Sequence, residues 1–191
     1  MAVRLAVAHQ SRPKPGELEN GDVALVRQVG EHTLMAVVDA LGHGPVAAKV
    51  AADVVRCLEG AALNAGVEPL MDALQVALRN GRGAAIMVGL FDGRTLRCGG
   101  VGNVELRTRG TRVPVIPSPG IVGQPIRVLR TTSAVLAPGD RLVFFSDGLS
   151  SRLDLEHAQK LSPPQACALL MERYARPTDD ATVMVADVEI A

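Results

Sequence analysis

Residues 22–45 read DVALVRQVGEHTLMAVVDALGHGP. Two apolar, β-branched runs, Asp22–Val29 and His32–Val38, are parted only by Gly30-Glu31, a spacing that predicts a two-residue hairpin. Strands joined so tightly must pair antiparallel, because a parallel pair needs a crossover of a dozen or more residues. The chain therefore does not open as an alternating α/β sheet. Its second run ends on a carboxylate, Asp39, and a loop of Gly42-His43-Gly44 follows. Pro45 then opens a helix at a position where its missing N–H costs nothing.

Two readings of that loop compete. Gly42–Ala47 matches the dinucleotide fingerprint G-x-G-x-x-A, in which a helix N-terminus receives a pyrophosphate. The context opposes it: the preceding strand is antiparallel, no strand ending in an acid follows about 20 residues on, and Asp39 would repel the ligand. The other reading makes Asp39 one of several aspartates gathered from strand ends to hold metal.

Further strands are expected at Arg4–Ala8, Ala84–Phe91, Thr95–Gly99, Val104–Thr108, Arg112–Ile116, Val128–Leu136, Arg141–Phe145 and Ala181–Val188. Apolar residues at three-to-four spacing predict helices over 45–63, 68–79 and 163–175, the last opened by Pro163-Pro164. Many strands with few helices predict an α+β fold of antiparallel sheets with helices packed outside.

Composition narrows the function. The chain has 191 residues, room for one well-buried domain. Lys+Arg and Asp+Glu are 20 each, so no basic field points to nucleic acid or to a membrane surface. With three Phe, one Tyr and no Trp, stacking platforms for single strands are lacking. No apolar window approaches the ~18 residues of a membrane span. Cys57, Cys98 and Cys167 are odd in number and show no metal spacing, which favours a reducing cytoplasm over a disulfide framework.

Four aspartate-bearing spots share one design: Asn20-Gly21-Asp22 before a strand, Asp39 after one, Ser146-Asp147-Gly148 after Phe144-Phe145, and Thr178-Asp179-Asp180 before the last strand. Any one of them could be an Asx-turn or a helix cap. Together they are a hard-oxygen donor set of the kind Mg²⁺ and Mn²⁺ take, and two such ions about 3.5–4 Å apart clamp a phosphoryl group. Arg12 and Lys14, in the loop before Asp22, are either solvated charges or contacts for a substrate phosphate. His9, His32 and His157 lack ligand spacing.

These motifs resemble those of the metal-dependent type 2C protein phosphatases, in their bacterial SpoIIE-like branch. The match runs through Asn20-Gly21-Asp22, Asp39-Ala40-Leu41-Gly42-His43-Gly44, Cys98–Val104, Gly120–Gly123, Phe145–Gly148 and Asp179–Val183. It spans about Asp22 to Val188, so a single phosphatase domain over 1–191 is expected, similar to the stand-alone feedback phosphatases of the stressosome. The resemblance implies a four-layer α-β-β-α sandwich with a site for two Mn²⁺ or Mg²⁺ ions, or three, at one end of the sheets. By position Asp39 would bridge both metals, Asp147 and Asp179 would complete the second, the Ala40 carbonyl would serve the first, and Asp22 would hold its water. The implied reaction is hydrolysis of phosphoserine or phosphothreonine by a water that the two metals activate. The implied partners are phosphorylated STAS-domain proteins of a stressosome or partner-switching module, met by a monomer.

The sequence also departs from the family. Ala40 stands where glycine is usual, which requires a negative φ there. Gly21 replaces the glutamate of eukaryotic members, their phosphate-binding arginine has no counterpart in 16–20, and Leu41 stands at their histidine. His43 is the candidate acid in its place, against the plainer reading of a solvent-facing loop histidine. These departures keep a second reading open, a phosphatase fold that binds without turnover.

Overall fold

A computed structural model describes residues 3–191. Nine strands form two antiparallel sheets. In chain order they are β1 (Val3–Arg12), β2 (Asp22–Val29), β3 (His32–Ala40), β4 (Ala84–Phe91), β5 (Thr95–Val101), β6 (Glu105–Arg109), β7 (Thr131–Val135), β8 (Arg141–Phe145) and β9 (Ala181–Ile190). One sheet runs β1-β9-β8-β6 and the other β2-β3-β4-β5-β7. Between β3 and β4 lie helices α1 (Pro45–Glu59) and α2 (Val67–Ala77), and α3 (Pro163–Tyr174) precedes β9.

The run LMAVV in β3 is apolar throughout because both faces of the strand are covered. Successive side chains alternate in direction. Leu34, Ala36 and Val38 pack with Val54 and Leu58 of α1 and Leu74 of α2. Met35 and Val37 turn the other way, into a core shared with Phe144, Met184 and Ala186 of the second sheet. On that sheet's far face, Val143, Phe145 and Val183 meet Ala166 and Leu170 of α3. The result is the expected four-layer α-β-β-α sandwich. With β3 antiparallel to both neighbours, there is no βαβ unit to carry the dinucleotide reading.

Local boundaries shift for identifiable reasons. β1 runs to Arg12 rather than Ala8, because ten residue pairs with β9 carry it through polar sequence. α1 stops at Glu59, where Gly60 caps it. The expected strand Arg112–Ile116 is irregular, and Val128–Leu136 contracts to Thr131–Val135. No helix among the described residues is long and apolar enough to cross a membrane.

Candidate active site

The hairpin places Asp22 directly opposite Asp39 across β2 and β3. Asp39 continues the alternation of Met35 and Val37, so it lies on the face turned toward the other sheet. There, β8 pairs antiparallel with β9 and Phe145 faces Val183. Residues just after β8 and just before β9 therefore share one end of the sandwich. Asp39, Asp147 and Asp179 converge on a cavity of about 610 Å³, with His43 and Asn103 on its wall.

Asp22 is buried behind this wall, only 5% exposed. The Ser146 hydroxyl donates to its Oδ2 and itself accepts the Thr182 N–H at 3.0 Å. The turn carrying Asp147 is seated by the next residue: a Cβ on Gly148 would lie 1.8 Å from the Asp180 carbonyl oxygen, so only glycine fits.

The adjacent aspartates have separate tasks. Asp179 lines the cavity. Asp180 is 3% exposed and accepts the N–H groups of Lys14 at 2.7 Å and Gly21 at 2.8 Å. It ties the start of β9 to the loop that delivers Asp22. Asp180→Asn would turn an amide donor toward one of these N–H groups, and the expected cost is about 1–3 kcal/mol. A lower urea midpoint with an unchanged slope would show it.

The departures from the family pattern have local causes. A Cβ on Gly21 would sit 2.6 Å from Ala47 Cβ and 2.9 Å from Asp180 Oδ2, so α1 and Asp180 leave no room for a glutamate. Ala40 stays within β3 without a positive φ, as its methyl requires, and its N–H donates to the Gly21 carbonyl at 3.1 Å. Fully buried, it packs in the helix-side core and not on the cavity wall. His43 does line the cavity, but its Nδ1 is 2.7 Å from Glu17 Oε1. Arg12 is committed elsewhere, donating to the Arg176 carbonyl at 2.6 Å. Lys14 contributes its backbone N–H to Asp180.

Asn103, Ser146, Asp180 and Glu17 were not legible as site residues. Asn103 donates to Asp147 Oδ2 at 2.6 Å and so orients that carboxylate. Its place two residues past the end of β5, behind Gly102, repeats the layout of Asp147 after β8 in amide form.

The electrostatics are those of an acidic cluster without its counter-charge. Burial, opposed by the Ser146 hydrogen bond and aided by nearby carboxylates, pushes Asp22 up to about 7. Burial, then the charges of Asp22, Asp147 and Asp179, push Asp39 up to about 8. No lysine or arginine lines the cavity. Like charges directly opposite on neighbouring strands are destabilising, and a dication would relieve them. The donors are all hard oxygens, the set that Mg²⁺ and Mn²⁺ prefer. Among the described residues no three His, Cys, Asp or Glu side chains close into a ready-made cage. Carboxylates spread around a roomy cavity suit an ion that keeps much of its water.

The sandwich and this acidic cavity define a metal-dependent type 2C protein phosphatase. The chain belongs to the family of stage II sporulation protein E (SpoIIE), whose model matches residues 30–189. Among curated proteins, none matches the sequence. A chain from a structure described as the bacterial stressosome, adapted to control secondary messenger signalling, is 28% identical with a TM-score of 0.89, covering 96% of this chain and 99% of that one. RsbX in complex with magnesium is 23% identical, with a TM-score of 0.84 and coverage of 97% and 96%. The catalytic domain of the phosphatase PstP with two manganese ions is 20% identical, with a TM-score of 0.74 and coverage of 98% and 100%.

Proposed function

We propose that this domain removes phosphate from phosphoserine or phosphothreonine on STAS-type regulatory proteins of a stressosome or partner-switching module. The observation that supports it most is the convergence of Asp39, Asp147 and Asp179, from two sheets, on one cavity lined by no lysine or arginine. Asp39 would bridge two ions, Asp147 and Asp179 would hold the second, and the Ala40 carbonyl would serve the first. Asp22, behind Asp39, would hold that first ion's water. Bound Mn²⁺ or Mg²⁺ would supply charge neutralisation for the phosphoryl group and a lowered pKa for water.

The protein's own groups do the rest. Asn103 fixes one oxygen of Asp147, whose carboxylate also meets Asp39 at the cavity. Ser146 holds Asp22 at the depth where it backs Asp39. His43, on the cavity wall and steadied by Glu17, would deliver a proton to the leaving alkoxide. Ala40 carries no positive φ, which supports the active reading against one of the two departures behind an inactive fold. Three free cysteines fit a reducing cytoplasm.

Purified protein with Mn²⁺ is expected to release phosphate from an aryl phosphate and to lose that activity in EDTA. No metal-dependent release from well-folded protein would refute the enzymatic reading. Activity on the aryl phosphate with none on phosphorylated STAS proteins would refute the substrate alone.

A further inference from the structure

We propose that Arg82, which lies against Gly42 at the edge of the cavity, grips the substrate phosphate in place of the arginine that the 16–20 segment lacks. The inference deepens the phosphatase reading and rests on it. Arg82 Nη1 lies 2.8 Å from the point where a Gly42 side chain would begin. Gly42 is on the cavity wall, with φ +96. The guanidinium thus lies against the bare α-carbon of the loop between Asp39 and His43, and any side chain at 42 would displace it.

The backbone holds its segment there. The Leu41 N–H donates to the Gly83 carbonyl at 3.1 Å, which locks the segment carrying Arg82 against that loop. From the other side Gly83 is pressed against Val122, whose carbonyl oxygen is 2.4 Å from a Gly83 Cβ position. Arg82 is nonetheless exposed and enters no ion pair among the described residues. A guanidinium with its donors unspent, on a backbone segment fixed beside a cavity lined by no lysine or arginine, suits a phosphomonoester dianion. Its planar fork can take two phosphate oxygens at once, where a lysine offers a point charge. Arg79 and Lys49 line an adjoining groove of about 600 Å³ together with Arg82. Neither lies against Gly42 as Arg82 does, so they serve as controls.

The test is binding of inorganic phosphate to Mn²⁺-loaded protein by calorimetry, with Arg82→Ala, Arg82→Lys and Arg79→Ala beside the wild type. Arg82→Ala is expected to weaken phosphate binding at least about tenfold, with Arg82→Lys intermediate and Arg79→Ala within about twofold of wild type. Mn²⁺ affinity and Tm should stay unchanged. In turnover, Arg82→Ala should raise KM for the aryl phosphate. Equal phosphate affinity in wild type and Arg82→Ala, or no phosphate binding by the wild type, would overturn the assignment. A wild type that binds phosphate through Arg82 yet releases none from the ester would instead refute the enzymatic reading and leave Arg82 a phosphate-binding residue only.

Discussion

Asp39→Asn is expected to do two opposite things: to reduce metal-dependent hydrolysis by at least about a thousandfold and to stabilise the metal-free protein at pH 8. The first follows from place. Asp39 is where the two sheets' carboxylates meet, and losing its charge removes the group proposed to join both ions and support in-line transfer. The second follows from charge. Burial and its three acidic neighbours push the Asp39 carboxyl up to about 8, so ionising it at pH 8 works against the fold. An amide of the same shape carries no such penalty. Asp147→Asn should also abolish turnover, since it removes a wall carboxylate that Asn103 orients. Turnover assays with Mn²⁺ and thermal melts in EDTA test both halves. An Asp39→Asn variant with near-normal activity would refute the site, and one that melts lower than wild type without metal would refute the electrostatic account.

The hairpin was legible because local chemistry and long-range packing agree there. Gly30 takes φ +59 in the two-residue turn, and an apolar run five residues long is what a strand covered on both faces requires. Residues 112–116 misled for a physical reason. Val113 is buried and Val115 packs on the inter-sheet core, so the alternation is real. What is missing is a partner strand: the Thr111 N–H donates to Asp140 Oδ1, and the chain leaves the sheet. Alternation reports an extended segment lying on a core; it does not report a ladder. The acidic motifs were legible as a set, because strand-end aspartates repeat one design. Their division of labour was not. Asp179 and Asp180 are neighbours of identical chemistry, and only the positions of the Lys14 and Gly21 N–H groups make one a structural tie and leave the other on the wall. Arg82 was equally hidden, since its role depends on Gly42, forty residues away in sequence.

Metal-free protein should be more stable at pH 5.5 than at pH 8, the reverse of acid denaturation. Asp22 and Asp39 have carboxyls pushed up to about 7 and about 8, against 3.8 for an ordinary aspartate. Between those values the folded state binds more protons than the unfolded one, so stability falls as pH rises. Their contribution is complete below the unfolded value and is lost as pH climbs through 7 to 8. Across this interval the loss is about 2–4 kcal/mol after discounting for solvent near Asp39, or roughly 5–15 °C in Tm for a domain of this size. Mn²⁺ should reverse the trend. At pH 8 it meets ionised ligands, and at one hundred times its Kd it adds about 2.7 kcal/mol. At pH 5.5 it must first displace protons, so the same concentration should shift Tm far less. Melts at the two pH values, in EDTA and in Mn²⁺, give four numbers that decide the matter. A metal-free Tm that rises from pH 5.5 to 8, or a Mn²⁺ shift equal at both, would mean that these carboxylates are not the acidic cluster the cation relieves.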